Sequence, residues 1–183
     1  MHLATLGDLM LDVLVDVPGG LRRDDDSEAH ISLSPGGQAA NVAAWAVLLG
    51  ARATVIGPLA TGAISDLLNA QLASAGVGVV GVPTLEAGTV VSILDIGTRT
   101  MASDAGDQSW LSRLELGALP ADAEWLHLSA YPLLRTNDPS TAVRLAEHAR
   151  RRGAGVSLDL SSAALIEAYR RGSVQGCRHP AAT

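Results

Sequence analysis

The chain contains no lysine and no phenylalanine, and it has a single cysteine in 183 residues. Each of its 13 basic residues is therefore an arginine. Without lysine there is no Schiff-base nucleophile and no Walker-type loop, whose lysine reaches the nucleotide phosphates. Cys177 alone can form neither an internal disulfide nor a zinc site of the Cys₄ or Cys₂His₂ kind. Aromatic residues make up only 3% of the chain, so valine, leucine, isoleucine and alanine must fill the interior. A net charge of −6 argues against nucleic acid and anionic membranes as partners. The apolar run Ala39 to Leu49 is far too short to span a bilayer and is interrupted by Asn41. Met1 to Thr5 carries no basic region and no cleavage motif, so no secretory signal is expected and the chain reads as cytoplasmic. A Rossmann dinucleotide site is not expected. His2, His30, His127, His148 and His179 show no metal-ligand spacing and read as structural or solvated.

What is present centres on Pro35-Gly36-Gly37-Gln38-Ala39-Ala40-Asn41. Paired glycines let backbone approach a ligand closely, and a helix opening here offers unpaired N–H groups. Asn41 adds a donor and an acceptor, a combination suited to a small polyhydroxylated molecule.

Periodicity assigns the elements. Leu3 to Leu6 reads as a buried strand closed by Gly7-Asp8. Leu11 to Val17 alternates, with Leu11, Val13, Val15 and Val17 on one face and Asp12 and Asp16 on the other. Pro18 to Asp26 is loop-like, its acidic end Asp24-Asp25-Asp26 reading as a solvated run, and Ala29 to Leu33 alternates again. Helix one is predicted over Gln38 to Leu49, with Val42, Trp45, Ala46 and Leu49 as its apolar stripe, Trp45 in the core, and Gly50 as its stop. Ala53 to Ile56 is a strand. Ala63 to Ser74 is helix two, with Ile64, Leu67, Leu68, Leu72 and Ala75 on one stripe. Val77 to Val82 is a strand. Thr89 to Asp95, a Gly97-Thr98 turn, and Arg99 to Ala102 read as a hairpin. Trp125 to Leu128 is a strand. Asp138 is the N-cap of a third helix with Pro139 at its first position and Gly153 at its close. Val156 to Leu160 and Ala163 to Arg171 complete the series as strand and helix. Strands alternating with helices from residue 36 onward describe an α/β domain with a parallel sheet. The one-sided segments near 11–33 and 89–103 form a small accessory sheet projecting from it.

These residues resemble the N-terminal signature of the ribokinase-like (PfkB) carbohydrate kinases. That pattern has two adjacent glycines, an asparagine four residues on, a small residue two beyond it and a glycine seven later. Gly36, Gly37, Asn41, Ala43 and Gly50 match it; Ala60 stands where a further glycine is common, and Thr61-Gly62 where an acidic pair is common. Gly7-Asp8-Leu9-Met10-Leu11-Asp12 is similar to the family's first strand, Thr89 to Ser103 to its second lid segment, and Trp125 to Tyr131 and Val156 to Asp159 to its following core strands. The resemblance spans about residues 3–170. It implies a three-layer α/β/α domain with a mostly parallel sheet, incomplete at its C-terminal side, over residues 1–170. Lid segments are expected at about 11–35 and 88–104, and an irregular tail over 171–183. It further implies phosphorylation of a hydroxyl on a sugar, sugar phosphate or nucleoside, with ATP and Mg²⁺. Asp12 and Asn41 would hydrogen-bond substrate hydroxyls, Gly36 and Gly37 would let the sugar lie against the chain, and Gln38 would add a contact. The lid would exclude water.

The Gly-Ala-Gly-Asp loop that carries the family's catalytic aspartate does not occur in this sequence. Asp104-Ala105-Gly106-Asp107 is near it in letters but leaves the lid hairpin, and it reads as a loop. No catalytic residue and no ATP site is therefore expected in this chain, and Gly172 to Pro180 reads as the tail of a truncation or frameshift. Asp159, at a strand end, could touch a ligand or cap a turn. Trp110 and Tyr131 could border the lid cleft, with packing the preferred reading. Two functional readings result: the substrate-binding and lid portion of a carbohydrate kinase, inactive alone, or a non-catalytic sugar-binding or assembly module that pairs through its lid, as a homodimer or with a separate chain. A broken-gene product is a third outcome.

Overall fold

The computed structural model describes residues 1–136 and 138–171; the tail from residue 172, with Cys177 and His179, lies outside the described residues. Nine strands are described: β1 (His2–Leu6), β2 (Met10–Val17), β3 (His30–Gly36), β4 (Arg52–Ala60), β5 (Val77–Thr84), β6 (Gly88–Asp95), β7 (Thr98–Asp104), β8 (Trp125–Ser129) and β9 (Gly155–Asp159). The helices are α1 (Gln38–Leu48), α2 (Ala63–Ser74), α3 (Ala130–Arg135), α4 (Ser140–Arg151) and α5 (Ala163–Arg170), with short 3₁₀ turns over Gln108–Arg113 and Leu116–Ala118.

β5-β4-β1-β8-β9 form one five-stranded sheet in which every pairing is parallel. Alternation along its strands divides the core between its two faces. Ala4, Leu6, Ile56, Leu126 and Leu128 pack with Trp110, Leu111 and the Ala142, Leu145, Ala149 stripe of α4. Ala53, Val55 and Val77 pack with Ala39, Ala40 and Ala43 of α1 and with Leu68 and Leu72 of α2. The result is the three-layer α/β/α arrangement the resemblance implies. β3-β2-β6-β7 form the second, four-stranded sheet from the two alternating segments. The hairpin between β6 and β7 turns at Ile96 and Gly97, both with positive φ (38° and 76°), as a two-residue primed turn requires.

Several expectations change. α1 buries its alanines, while Trp45 is 64% exposed and Leu48 and Leu49 are 72% and 82% exposed. The apolar stripe Val42, Trp45, Ala46, Leu49 is thus not the core face. Small alanines let the helix lie close to β1 and β4, which large residues would prevent. In α2, Ile64 is 44% exposed while Leu68 and Leu72 are buried. Beyond β8 the chain does not stay extended: Ser129 accepts from the Tyr131 N–H and caps α3, with Pro132 tolerated in that first turn. α4 begins at Ser140, with Pro139 as the capping residue, while the Asp138 carboxylate accepts from the Ser140 N–H at 2.9 Å. Although no dinucleotide site is expected, Gly76-Val77-Gly78-Val79-Val80-Gly81 carries the letters of a dinucleotide fingerprint. Here Gly76 follows α2 and the other two glycines lie inside β5. The order is helix then strand, so the glycines do not open onto a helix N-terminus as a phosphate cradle requires.

Candidate functional site

Counting only the strands of the parallel sheet, the chain builds outward from β1 to β4 and β5, then returns to β8 and β9 on the other side. Such a reversal leaves a crevice beyond the carboxyl ends of the strands at the switch point, where open α/β sheets bind ligands. A cavity of 390 Å³ lies there. Its floor comes from the strand ends: Asp8 just past β1, Tyr131 and Arg135 on α3 after β8, and Ser161 just past β9. One wall is the start of α1, with Gly37, Gln38, Asn41, Val42 and Trp45. The small sheet covers it with Met10, Asp12, Val90, Arg99, Met101 and Ser103.

The lid residues converge because of register. Asp12 pairs with Val90 and Ser34, Val90 with Ser103, Ser92 with Met101, and Leu94 with Arg99. Residues opposite one another across a sheet share a face. Asp12, Val90, Arg99, Met101 and Ser103 therefore face the cavity, and Val13, Val15, Ile31 and Leu33 face away. The alternation in Leu11 to Val17 already placed Asp12 on the polar face.

The glycine pair serves this geometry in a way the sequence did not reveal. Gly36 ends β3 directly opposite Met10. A Cβ there would overlap the Asp12 carboxylate. Gly37, at φ 89°, precedes α1, and a Cβ on it would overlap the backbone carbonyl of Asp8. Gly37 lines the cavity; Gly36 does not, its open side being occupied by Asp12. The pair first of all lets the strand carrying Asp12 and the loop carrying Asp8 close onto α1.

The polar groups differ in how far the protein satisfies them. Gln38 is anchored: its Oε1 accepts from the Ser129 hydroxyl at 2.7 Å and the Ser161 hydroxyl at 2.8 Å. Both lone pairs of that oxygen are used, leaving the NH₂ donors for a ligand. Ser161 itself has φ 69°, and its N–H donates to Asp159 Oδ1 at 3.1 Å. Asn41 is exposed, and its backbone N–H donates to Gly37 at 3.0 Å, while its carboxamide has no hydrogen-bond partner among the described residues. Asp12 is half-buried, and burial raises its carboxyl above the ordinary aspartate range, with Arg99 pulling it back. Arg99 donates to the Ser92 hydroxyl at 3.2 Å.

Asp8, expected at the turn after the first strand and within the Gly7–Asp12 segment, is the most buried ionisable group of the cavity, at 3% exposure. Burial pushes its carboxyl up to about 6, against the opposing pull of Arg135. Arg135 Nη1 stands 3.5 Å from Asp8 Oδ2, and Asp8 Oδ1 has no hydrogen-bond partner among the described residues. The guanidinium lies over the Tyr131 ring, 5.1 Å from its centroid. Asp8, Arg99, Arg135 and Ser161 were thus absent from the expected site, and Tyr131 borders the cleft instead of only packing. The signals for them were position after a parallel strand (Asp8, Tyr131, Ser161) and lid alternation (Arg99). Trp110 is fully buried core. Asp107 of the Asp104–Asp107 run accepts from the Ser109 N–H at 2.8 Å and pairs with Arg113 at 3.0 Å, a local capping role. Asp25 pairs with Arg22 at 3.8 Å in an exposed loop.

The profile described as pfkB family carbohydrate kinase matches residues 1–173. A search of curated proteins gives no match. Among solved structures, an adenosine kinase from Sinorhizobium meliloti superimposes with a TM-score of 0.75 at 19% identity, over 92% of this chain and 59% of its own. The phosphofructokinase-2 from Escherichia coli, solved with fructose-6-phosphate, gives 0.70 at 22% identity, over 91% of this chain and 57% of its own. A fructokinase from Xylella fastidiosa gives 0.68 at 21% identity, over 90% and 54%. The chain therefore spans a little over half the length of these structures. Among the described residues no helix is long and apolar enough to cross a membrane.

Proposed function

Because this chain belongs to the pfkB family of carbohydrate kinases, we propose that it forms the acceptor-binding and lid portion of an ATP-dependent kinase acting on a hydroxyl of a sugar or nucleoside. We propose further that it binds this substrate without transferring phosphate by itself. The observation that carries the reading is the convergence of Asp12, Gln38 and Asn41, from β2 and the start of α1, on one 390 Å³ cavity. That volume is at the small end of the range for ligand pockets, about 300–1,000 Å³, and suits a single sugar unit. A carboxylate accepts from adjacent hydroxyls, the Asn41 carboxamide both donates and accepts, and the Gln38 NH₂ donates. A site built this way rejects analogues that lack those hydroxyls, because its own polar groups are then left unpaired. The lid sheet above the cavity excludes water when a ligand is held.

ATP with Mg²⁺ is the phosphoryl donor that family membership implies. Among the described residues no three histidine, cysteine or carboxylate side chains stand together as metal ligands. In this reading the chain's own residues bind and orient the acceptor. Calorimetric titration with a panel of sugars and nucleosides tests the binding reading: at least one should bind, and Asn41→Ala should weaken it about tenfold or more, the order expected for lost polar contacts. ATP-dependent phosphorylation by the isolated chain, abolished by Asn41→Ala, would overturn the claim that it does not act alone.

A second reading, assembly through the lid, is favoured by the outer face of the small sheet. Ile31 and Leu33 are 66% and 47% exposed there, beside the half-buried Val13 and Val15. An exposed apolar sheet face is a candidate for pairing with a second protomer. Sedimentation of a monomer at all concentrations would remove this reading and leave the first intact.

A further inference from the structure

Arg135 is a cavity residue whose charge the protein leaves under-matched. Its side chain is only 21% exposed, yet its nearest carboxylate oxygen, Asp8 Oδ2, is 3.5 Å away. A charge-assisted hydrogen bond between such groups is about 2.7–2.9 Å, so this is a loose pair on one nitrogen. Among the described residues the guanidinium donates no hydrogen bond, although it carries five N–H donors. Burying a guanidinium without acceptors is costly. With no acceptor closer than Asp8 among the described residues, its donors are open to what fills the cavity: water in the free protein, ligand oxygens in the complex. The Tyr131 ring, its centroid 5.1 Å from Cζ, holds the guanidinium by a cation–π contact and leaves its N–H edge unused. Ser129 and Ser161 donate to Gln38, and their hydroxyl oxygens accept from the Tyr131 and Ala130 N–H groups, at 3.4 and 3.2 Å, and not from the guanidinium. The high Asp8 pKa points the same way, since burial outweighs the help Arg135 provides to that carboxylate.

We propose that the acceptor substrate carries an anionic group, a phosphate or a carboxylate, that the Arg135 guanidinium takes from the floor of the cavity while Asp12 and Asn41 hold its hydroxyls. A planar guanidinium matches both oxyanions bidentately, which an ammonium cannot do. Arg99, on the lid at the Asp12 side, supplies a second positive charge that offsets the lid carboxylate and keeps the cavity from repelling an anion. The inference rests on the sugar-binding reading above and narrows its substrate class.

The test is calorimetric binding to the full chain with matched ligands: neutral hexoses and pentoses, their monophosphates, the corresponding sugar acids, and inorganic phosphate as a competitor. The anionic partner of at least one pair should bind about tenfold tighter than its neutral parent, the size of one charge-assisted contact. The phosphate and acid arms identify which oxyanion is used. Arg135→Gln should bring the pair to within about twofold, and Arg135→Lys should retain part of the preference because it keeps charge without the fork. Should Arg135→Gln fail to fold by circular dichroism, the wild-type ligand pairs and Arg135→Lys decide the matter. Neutral sugars binding as well as or better than their anionic partners, or a preference that survives Arg135→Gln, would overturn the proposal while leaving the sugar site standing. Absence of binding by every sugar, neutral or anionic, would overturn both.

Discussion

The Asp12 carboxylate occupies the space that a side chain on Gly36 would need. The two residues are in adjacent strands, β2 and β3, and the missing Cβ is what allows the acid to lie flat against the sheet beside the cavity. Gly36→Ala should drive the carboxylate off its position. Overpacking of this kind costs about 1–3 kcal/mol, readable as a lower denaturation midpoint, and ligand binding should fall with it. Gly37→Ala should be the more damaging, because its new Cβ meets the rigid Asp8 backbone and φ 89° is strained for alanine. Equal stability of the two variants and the parent in urea would contradict this account.

Stability should depend on pH through Asp8. A carboxyl raised from 3.8 to about 6 in the folded state binds its proton more tightly there than in the unfolded chain. Between about pH 4 and pH 6 the folded state thus holds more protons, and stability falls as pH rises through that window, then levels above it. The full effect is on the order of 3 kcal/mol. Asp12, shifted in the same direction, adds to the slope. Asp8→Asn should flatten the profile over this window relative to the parent, measured by denaturant midpoints at closely spaced pH values. Parallel profiles for the two proteins would be inconsistent with a buried, proton-holding Asp8.

The tryptophans should separate cleanly. Trp110 is fully buried against the α4 face of the sheet, so Trp110→Ala should cost about 3–5 kcal/mol. Trp45 is 64% exposed, and Trp45→Ala should stay within about 0.5 kcal/mol of the parent. Because Trp45 lines the cavity, its emission should be quenched by acrylamide in the free protein and protected when a ligand binds. Matching Trp→Phe variants identify each signal.

Gln38 and Asn41 should fail in different ways. Gln38→Ala removes the acceptor of the buried Ser129 hydroxyl and the half-buried Ser161 hydroxyl and should lower stability by about 1–3 kcal/mol, loosening the Ser161 turn. Asn41→Ala removes a carboxamide with no partner among the described residues, so the melting temperature should hold while binding weakens. A large stability loss in Asn41→Ala would make it structural.

Helix limits and strand alternation were legible because they depend on local periodicity. α2 falls where its apolar spacing and closing glycine put it, and the Leu11 to Val17 alternation puts Asp12 on the face opposite Val13 and Val15, as the strand register has it. Which face of a helix is buried was less legible. In α1 the larger residues point outward, since the separation of helix and sheet, not hydrophobicity alone, selected alanine. α3 was missed because a single capped turn with Pro132 has too few residues to display a period.

By itself the sequence determined the alternating α/β order, the separate one-sided sheet, the family signature Gly36-Gly37…Asn41 and the candidacy of Asp12. Each is a property of neighbours along the chain. Only the tertiary structure decided that Asp8, Arg135 and Ser161 share a cavity with them, because these residues meet through the reversal of strand order around β1. It also decided what the glycines are for: they leave room for Asp12 and for the Asp8 backbone, a contact between segments whose proximity no local pattern encodes.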